Sequence, residues 1–178
     1  MKKLFTLALI AMAFMVAPSV NAQFAGLQKS PTDIAYAKAD RRAKPTMKVI
    51  YSRPQKKGRD VFGGLVSYGK VWRTGADEAT EIKLMQDYKF GDKTVKAGTY
   101  SLFTIPGEKE WTIILNSDLD DWGAYAYKES NDVARITVPV SQGKEVVEAF
   151  SIGFKPVEKG YHMVLGWDTT LVEVPFYN

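Results

Sequence analysis

The residues best suited to bind a small molecule lie in one basic, glycine-rich segment, residues 53–80. Between Arg53 and Arg73 the segment carries six basic residues against one acidic residue, Asp60, in a chain whose charge is otherwise nearly balanced. Five glycines allow main-chain N–H groups to approach a ligand closely, and arginine binds carboxylates and phosphates through paired N–H groups. The segment therefore predicts a concave site for a carboxylate, a phosphate or an acidic sugar.

The same arginines could instead be neutralised within the segment. In that alternative they pair with Asp60, Asp77 and Glu78 and lock a long loop onto the domain. The two interpretations differ in whether the guanidinium groups are free to meet a ligand.

Aromatic residues form the second candidate group, because sugars stack on exposed aromatic faces. Trp72 and Trp122 are expected in loops, where they could form a platform with Tyr125, whereas Trp111 and Trp167 are expected in the core. The alternative is that all four tryptophans are packing residues. The predicted ligand-binding residues are Arg53, Lys57, Arg59, Trp72, Arg73, Glu78, Trp122 and Tyr125.

Two further functions stay open. A glycosidase-like hydrolase would need two carboxylates roughly 5 to 9.5 Å apart, and Glu78 could pair with Asp77, Asp118 or Asp121. A structural or assembly protein of the envelope would need no small ligand. The leading hypothesis is a non-catalytic binding module.

Several chemistries are excluded by residue type. Gly64–Lys70 has the spacing of a phosphate-binding loop, but Val71 stands where a Ser or Thr must bind magnesium. The acidic stretch 116–127 lacks the Gly and the closing Glu of an EF-hand, which leaves only a looser calcium site. With His162 as the one histidine and no cysteine, zinc sites of His and Cys and thiol catalysis cannot form. No metal or cofactor is predicted.

Short runs rich in β-branched and aromatic residues must position these side chains. Glycine-containing turns separate the runs, as at Gly91-Asp92-Lys93 and Ser141-Gln142-Gly143, and any helix is a short one within 118–131. The pattern predicts an all-β, antiparallel, jelly-roll-like β-sandwich. The predicted strands are 47–52, 80–85, 99–105, 111–116, 133–140, 146–154, 161–167 and 171–176.

The chain resembles a family of secreted bacterial proteins grouped as domain of unknown function 2911. The resemblance runs from about Ile50 to Phe176, whereas the usual first strand is hard to recognise in Asp33–Lys48. It implies export and a β-sandwich, and it supplies no catalytic residues. The motifs that carry it are Tyr51-Ser52-Arg53-Pro54, Lys57-Gly58-Arg59, Phe62–Val66, Tyr68–Ala76, Glu78-Ala79-Thr80, Ala97–Leu102, Ile105-Pro106-Gly107 and Trp122–Tyr125.

The first 22 residues have the pattern of a secretory signal peptide. Lys2 and Lys3 precede an apolar stretch, 4–16, that is too short to span a bilayer, and Val20-Asn21-Ala22 is a small-residue cleavage site. We therefore expect a periplasmic or secreted protein with no transmembrane segment in its mature form. The expected division is a signal peptide (1–22), an N-terminal tether or edge strand (23–45) and the β-sandwich domain (46–178).

Composition limits the partners of the mature chain. Removing 22 of the 178 residues leaves 156, which suits a single domain. The leader contains two lysines and no acid, so 24 basic residues become 22 against 20 acidic residues. Such a near balance gives little attraction for a phosphate backbone, and nucleic acid is not an expected partner. The oligomeric state is not indicated by the sequence.

Cleavage after Ala22 is directly testable. We expect protein exported by a bacterial host to begin at Gln23, which N-terminal sequencing or intact mass would show. Exported protein that begins at Met1 would contradict the signal peptide.

Overall fold

The computed structural model describes residues 26–178, and the predicted signal peptide lies outside the described residues. Within that range the chain forms nine β-strands and one short 3₁₀ helix, Glu129–Asn131. The strands are β1 (Thr32–Ala37), β2 (Met47–Ser52), β3 (Thr80–Leu84), β4 (Tyr88–Phe90), β5 (Lys93–Val95), β6 (Gly98–Ile105), β7 (Glu110–Asn116), β8 (Asp132–Val157) and β9 (Gly160–Tyr177).

All the strand pairs are antiparallel, in the order β1-β2-β3-β6-β7-β8-β9-β4-β5. The long strand β8 changes partner midway: residues 132–139 pair with β7, and residues 140–157 pair with β9. The second half of β8 also meets β2, where the Tyr51 hydroxyl accepts a hydrogen bond from the Ile152 N–H at 2.9 Å. The sheet therefore turns back over itself, and the predicted all-β, sandwich-like class is confirmed.

The core lies between the two halves of this bent sheet. Met47 and Ile82 come from one half, and Phe150, Met163 and Phe176 come from the other, all with no or almost no exposed surface. Aromatic rings fill its centre, with Trp72 packed against Phe150 at 5.1 Å between ring centroids. The alternation of buried and less buried residues along β2 and β3 directs one face of these strands into this core.

Two predicted strand boundaries are wrong because the register of a long pair is irregular. The runs 133–140 and 146–154 belong to one strand, β8, and the runs 161–167 and 171–176 both belong to β9. The predicted turn at Ser141-Gln142-Gly143 is instead a bulged stretch, since the paired positions move from Gln142 to Val147 on β8 while β9 advances only from Thr170 to Asp168.

Smaller elements also differ from the sequence expectation. The turn predicted at Gly91 does connect two strands, but those strands, β4 and β5, are three residues each and were not predicted. β1 pairs with β2 at one edge of the sheet, from Thr32 opposite Ser52 to Ala37 opposite Met47. Among residues 26–178, no helix is long and apolar enough to span a membrane.

Phe150 is expected to contribute strongly to the stability of the core, because its ring packs against three other aromatic rings. We expect Phe150→Ala to lower the free energy of unfolding by about 3–5 kcal/mol, because it leaves a cavity between Tyr51, Trp72 and Trp167. Urea denaturation would measure the loss. Val146→Ala on the same strand is the control, since the exposed Val146 should change stability by no more than about 0.5 kcal/mol; equal losses would contradict this account of the core.

Candidate functional site

The basic loop, residues 53–79, connects β2 to β3 and forms one side of an open cleft of about 670 Å³. Apolar side chains form much of the cleft, including Leu65, Val66 and two tryptophans, and basic side chains line the rest. Residue Asp77 contributes an acidic group. The basic residues that line the cleft are Lys29, Lys57, Arg59 and Arg73, and the tryptophans are Trp72 and Trp167.

The first part of the loop is fixed by pairing with β8. Pro54 accepts a hydrogen bond from the Phe150 N–H at 2.9 Å, and the Lys56 N–H donates to the Glu148 carbonyl at 2.8 Å. The chain then turns at Lys57 and Gly58, both with positive φ (49° and 69°). The Glu148 carboxylate holds the turn by accepting from the Lys57 N–H at 2.8 Å. Lys57 and Arg59 are thus positioned at the cleft because the main chain of the loop is hydrogen-bonded to β8.

The last part of the loop is fixed by Trp72. Its backbone pairs with Thr104 of β6, and its indole N–H donates to the Gly75 carbonyl at 3.1 Å. Gly75 passes so close to β2 that a Cβ there would lie 3.1 Å from the Ser52 carbonyl oxygen. Thr74 is fully buried at φ 55°, a strained conformation for a β-branched residue. The tight turn fixes the backbone of Arg73 beside the cleft.

The charges of the cleft are not neutralised by ion pairs. Within residues 26–178, no guanidinium nitrogen of Arg59 or Arg73 lies within 4.0 Å of a carboxylate oxygen. Arg59 is held by carbonyl groups, since its Nε and Nη2 donate to Lys56 and Gln55 at 2.9 and 2.7 Å. Arg73 lacks such contacts: its Nε is buried and has no hydrogen-bond partner in the described chain. A buried donor without an acceptor costs about 1–3 kcal/mol.

Arg53 lies outside the cleft, although the sequence grouped it with the other arginines. Its Nη1 forms an ion pair with Asp33 at 3.0 Å, its Nη2 donates to the Ser151 hydroxyl at 2.7 Å and its Nε donates to the Phe150 carbonyl at 3.1 Å. Lys56 is likewise paired, with Asp168. These two cations connect the loop and β1 to β8 and β9, so pairing does occur, but with acids outside the loop.

Trp72 lines the cleft from within the core, and it is not an exposed loop residue as the sequence suggested. Only 7% of it is exposed, and it stacks on Trp167 with 6.1 Å between ring centroids and an angle of 18°. Trp111 and Trp167 are buried, at 2% exposure each. A ligand in the cleft would therefore meet an edge of this aromatic cluster and no broad ring face.

Glu78 faces a different cavity, of about 270 Å³. The side chains alternate along the end of the loop, so Asp77 lines the basic cleft while Glu78 lines the second cavity. Its acidic lining also includes Glu81 and Asp120. Tyr51 is also one of the residues that line this cavity. Its hydroxyl donates to the Ile152 carbonyl at 3.3 Å, and burial raises the pKa of that hydroxyl.

The other two predicted site residues, Trp122 and Tyr125, are strongly exposed. They lie in the loop between β7 and the 3₁₀ helix, and their rings are nearly parallel, at 8°, with centroids 6.0 Å apart. Trp122 forms an isolated antiparallel bridge with Glu78. The eight predicted residues therefore divide into a basic cleft (Lys57, Arg59, Trp72, Arg73), an acidic and aromatic region (Glu78, Trp122, Tyr125) and a structural ion pair (Arg53).

The carboxylate pairs expected of a hydrolase are not brought into one cavity. Asp77 lines the basic cleft, and one oxygen of Asp118 accepts from the Asn131 side chain at 2.6 Å. Asp121 does not line the cavity of Glu78 and has a buried oxygen, Oδ2, that lacks a partner in the described chain. The acids that do share the cavity with Glu78 were not predicted, because Glu81 and Asp120 come from different elements.

The stretch considered for calcium is occupied by its own hydrogen bonds. Asn116 is fully buried, and its side-chain oxygen accepts from the Asp118 N–H at 2.9 Å. Within residues 26–178, no group of three or more His, Cys, Asp and Glu side chains is arranged to hold a metal ion. His162 lies on β9, where its ring contacts Glu173 at 2.9 Å and Tyr177 at 3.3 Å.

Sequence reasoning missed the residues that enter the cleft from distant positions. Lys29 precedes β1 and Trp167 lies on β9, yet both line the cleft. Their positions follow from long-range pairing, and no local pattern in the sequence marks them.

Comparison with known proteins identifies the family but no characterised relative. No match was found among the curated proteins or among the solved structures. The model of a family described as a protein of unknown function, DUF2911, matches residues 30–176. The match begins before β1 and so includes the N-terminal strand, in which the resemblance was hard to recognise. The chain belongs to the DUF2911 family.

Proposed function

We propose that the protein is an exported, non-catalytic module that binds a small organic anion in the basic cleft. The observation that carries the proposal is the unneutralised charge of this cleft. The side-chain cations of Lys57, Arg59 and Arg73 meet there with no carboxylate oxygen within 4.0 Å of their charged nitrogens in the described chain, and the Nε of Arg73 is buried without an acceptor. A bound carboxylate or phosphate would accept hydrogen bonds from these cations and balance their charge.

The size and lining of the cleft support an anion with an apolar or sugar-like body. Its volume of about 670 Å³ is within the usual range of small-molecule sites. Leu65, Val66 and the edge of Trp72 offer apolar contact beside the cations. An acidic sugar or a ring carboxylate would contact both the cations and the apolar side chains, whereas an inorganic ion would contact only the cations.

Backbone strain is concentrated at the same place. Lys57, Thr74 and Asp77 have positive φ (49°, 55° and 61°), and all three belong to the basic loop. Such conformations cost free energy and are held in place by the surrounding structure, as is common at binding sites. Export is a separate part of the proposal and rests on the sequence of residues 1–22, which has the pattern of a signal peptide.

Binding can be tested with a panel of glucuronate, benzoate, citrate and inorganic phosphate. We expect at least one organic anion to bind, as measured by calorimetric titration and by a rise in melting temperature. Arg59→Gln and Arg73→Gln should each weaken binding by about tenfold or more, because each removes a charge-assisted hydrogen bond. Arg41→Gln is the matched control, since it removes the same charge from an exposed position on the chain between β1 and β2.

Two results would contradict the proposal. One is that no anion of the panel binds. The other is that Arg41→Gln weakens binding as much as Arg73→Gln does, which would show a diffuse effect of net charge and no defined site.

Two arginines of the basic loop should differ in how much they contribute to stability. Arg53→Met removes three hydrogen bonds and leaves Asp33 unpaired, and we expect it to cost about 1–3 kcal/mol. Arg73→Met removes a buried donor that has no acceptor, and it should change the free energy of unfolding by no more than about 0.5 kcal/mol or raise it. Urea denaturation without ligand would measure both, and an equal cost for the two variants would mean that Arg73 is a structural residue.

A further inference from the structure

A pair of aromatic rings is exposed next to the acidic cavity. Trp122 is 61% exposed and Tyr125 is 83% exposed, which is unusual for such large apolar side chains. Their rings lie within 8° of parallel at a centroid distance of 6.0 Å. We call these two residues the aromatic platform. Neither ring is needed to fill the core.

The platform is held by backbone contacts with the end of the basic loop. The Gly123 N–H donates to the Asp77 carbonyl at 2.9 Å, and the Ala79 N–H donates to the Asp121 carbonyl at 2.9 Å. The ring of Tyr125 rests on Gly123, where a Cβ would lie 2.9 Å from ring carbons and where φ is +78°. The rings are therefore presented by a fixed turn, which limits the conformational entropy that a ligand would remove.

The neighbouring polar groups are acceptors of hydrogen bonds. Glu78 and Trp122 form an antiparallel bridge, so their side chains project from the same face, with Cβ atoms about 5 Å apart. Glu78 lines the cavity that also contains Glu81 and Asp120, and neither an ion pair nor a side-chain hydrogen bond engages these three carboxylates in the described chain. Ionised carboxylates accept hydrogen bonds and do not donate them.

We propose that the aromatic platform and the adjacent carboxylates bind a neutral saccharide. A pyranose ring has a flat face of C–H groups, which packs on an aromatic ring, and an edge of hydroxyl groups, which can donate to Glu78 and Asp120. An anionic sugar does not fit here, because all the charged residues that line this cavity are acidic. This saccharide site is independent of the anion proposed for the basic cleft.

The dimensions of the surface favour a sugar over a protein partner. A specific protein interface buries about 800 Å² on each partner. The exposed apolar surface here consists of two rings and the partly exposed Leu119, next to three carboxylates. Such a patch matches one or two sugar rings.

Affinity electrophoresis through gels that contain neutral polysaccharides tests the proposal. The probes are β-1,3-glucan, xylan, galactomannan and glycogen. We expect at least one of them to retard the protein, and Trp122→Ala or Tyr125→Ala to weaken this binding by about tenfold, the effect of losing one stacking contact. Trp122→Phe should retain binding better than Trp122→Ala does, because a ring remains. Tyr36→Ala, which removes an exposed ring from β1, should not change the retardation.

Fluorescence quenching gives a second measurement that does not depend on gel mobility. Trp72, Trp111 and Trp167 are buried, so acrylamide should quench Trp122 preferentially. Oligosaccharides of a retarding polysaccharide should protect this fraction of the emission, and the protection should persist in Arg73→Gln. No retardation by any of the four polysaccharides would overturn the proposal, as would retardation that is equal in the wild type and Trp122→Ala.

Discussion

The contact on which the candidate site depends is the docking of Trp72 into the aromatic core. Its ring packs against Phe150 and Trp167, which come from the far half of the bent sheet, while its backbone pairs with β6 of the near half. One residue of the loop is thus attached to both sides of the sandwich. Because its indole N–H also closes the turn to Gly75, the same contact positions Arg73 beside the cleft.

In this arrangement some cations of the basic loop form structural ion pairs, whereas others are available to a ligand. Arg53 and Lys56 are used to attach the start of the loop to Asp33 and Asp168, and both acids lie outside the loop. Arg59 and Arg73 follow on the same loop: Arg59 donates to main-chain carbonyls, and the Nε of Arg73 has no acceptor within residues 26–178. The loop is therefore held by some of its cations and presents others. The cations that hold it pair with Asp33 and Asp168, whereas the alternative interpretation predicted pairing with Asp60, Asp77 and Glu78.

Much of the fold follows from the sequence, because buried strands leave a local pattern of alternating apolar residues. β2 was predicted at its exact bounds, and β6 and β7 to within one residue. The bulged pairing of β8 with β9 was not predictable in this way, since Ser141-Gln142-Gly143 has the composition of a turn and only the long partner strand keeps it extended. The short β4 pairs with β9, and β5 pairs only with β4 among the described strands; both have too few residues to show a period.

The candidate site was only partly visible in the sequence for a related reason. Composition showed where cations are concentrated, but the partner of each cation depends on long-range register. Asp33 reaches Arg53 because β1 pairs with β2, and Glu81 and Asp120 join Glu78 because separate elements meet. The division of the eight predicted residues into a basic cleft, an acidic and aromatic region and a structural ion pair therefore required the tertiary structure.

The availability of the guanidinium groups can be measured most directly by NMR of the arginine Nε–H groups during a titration with sulfate. The account predicts that the signals of Arg59 and Arg73 shift and saturate, because neither guanidinium has a carboxylate partner in the described chain and Nη1 of Arg59 makes no hydrogen bond there. The signal of Arg53 should stay where it is, because Asp33, Ser151 and Phe150 occupy all three of its nitrogens. If Arg73 does not respond, or if Arg53 responds equally, the basic cleft is not the anion site described here.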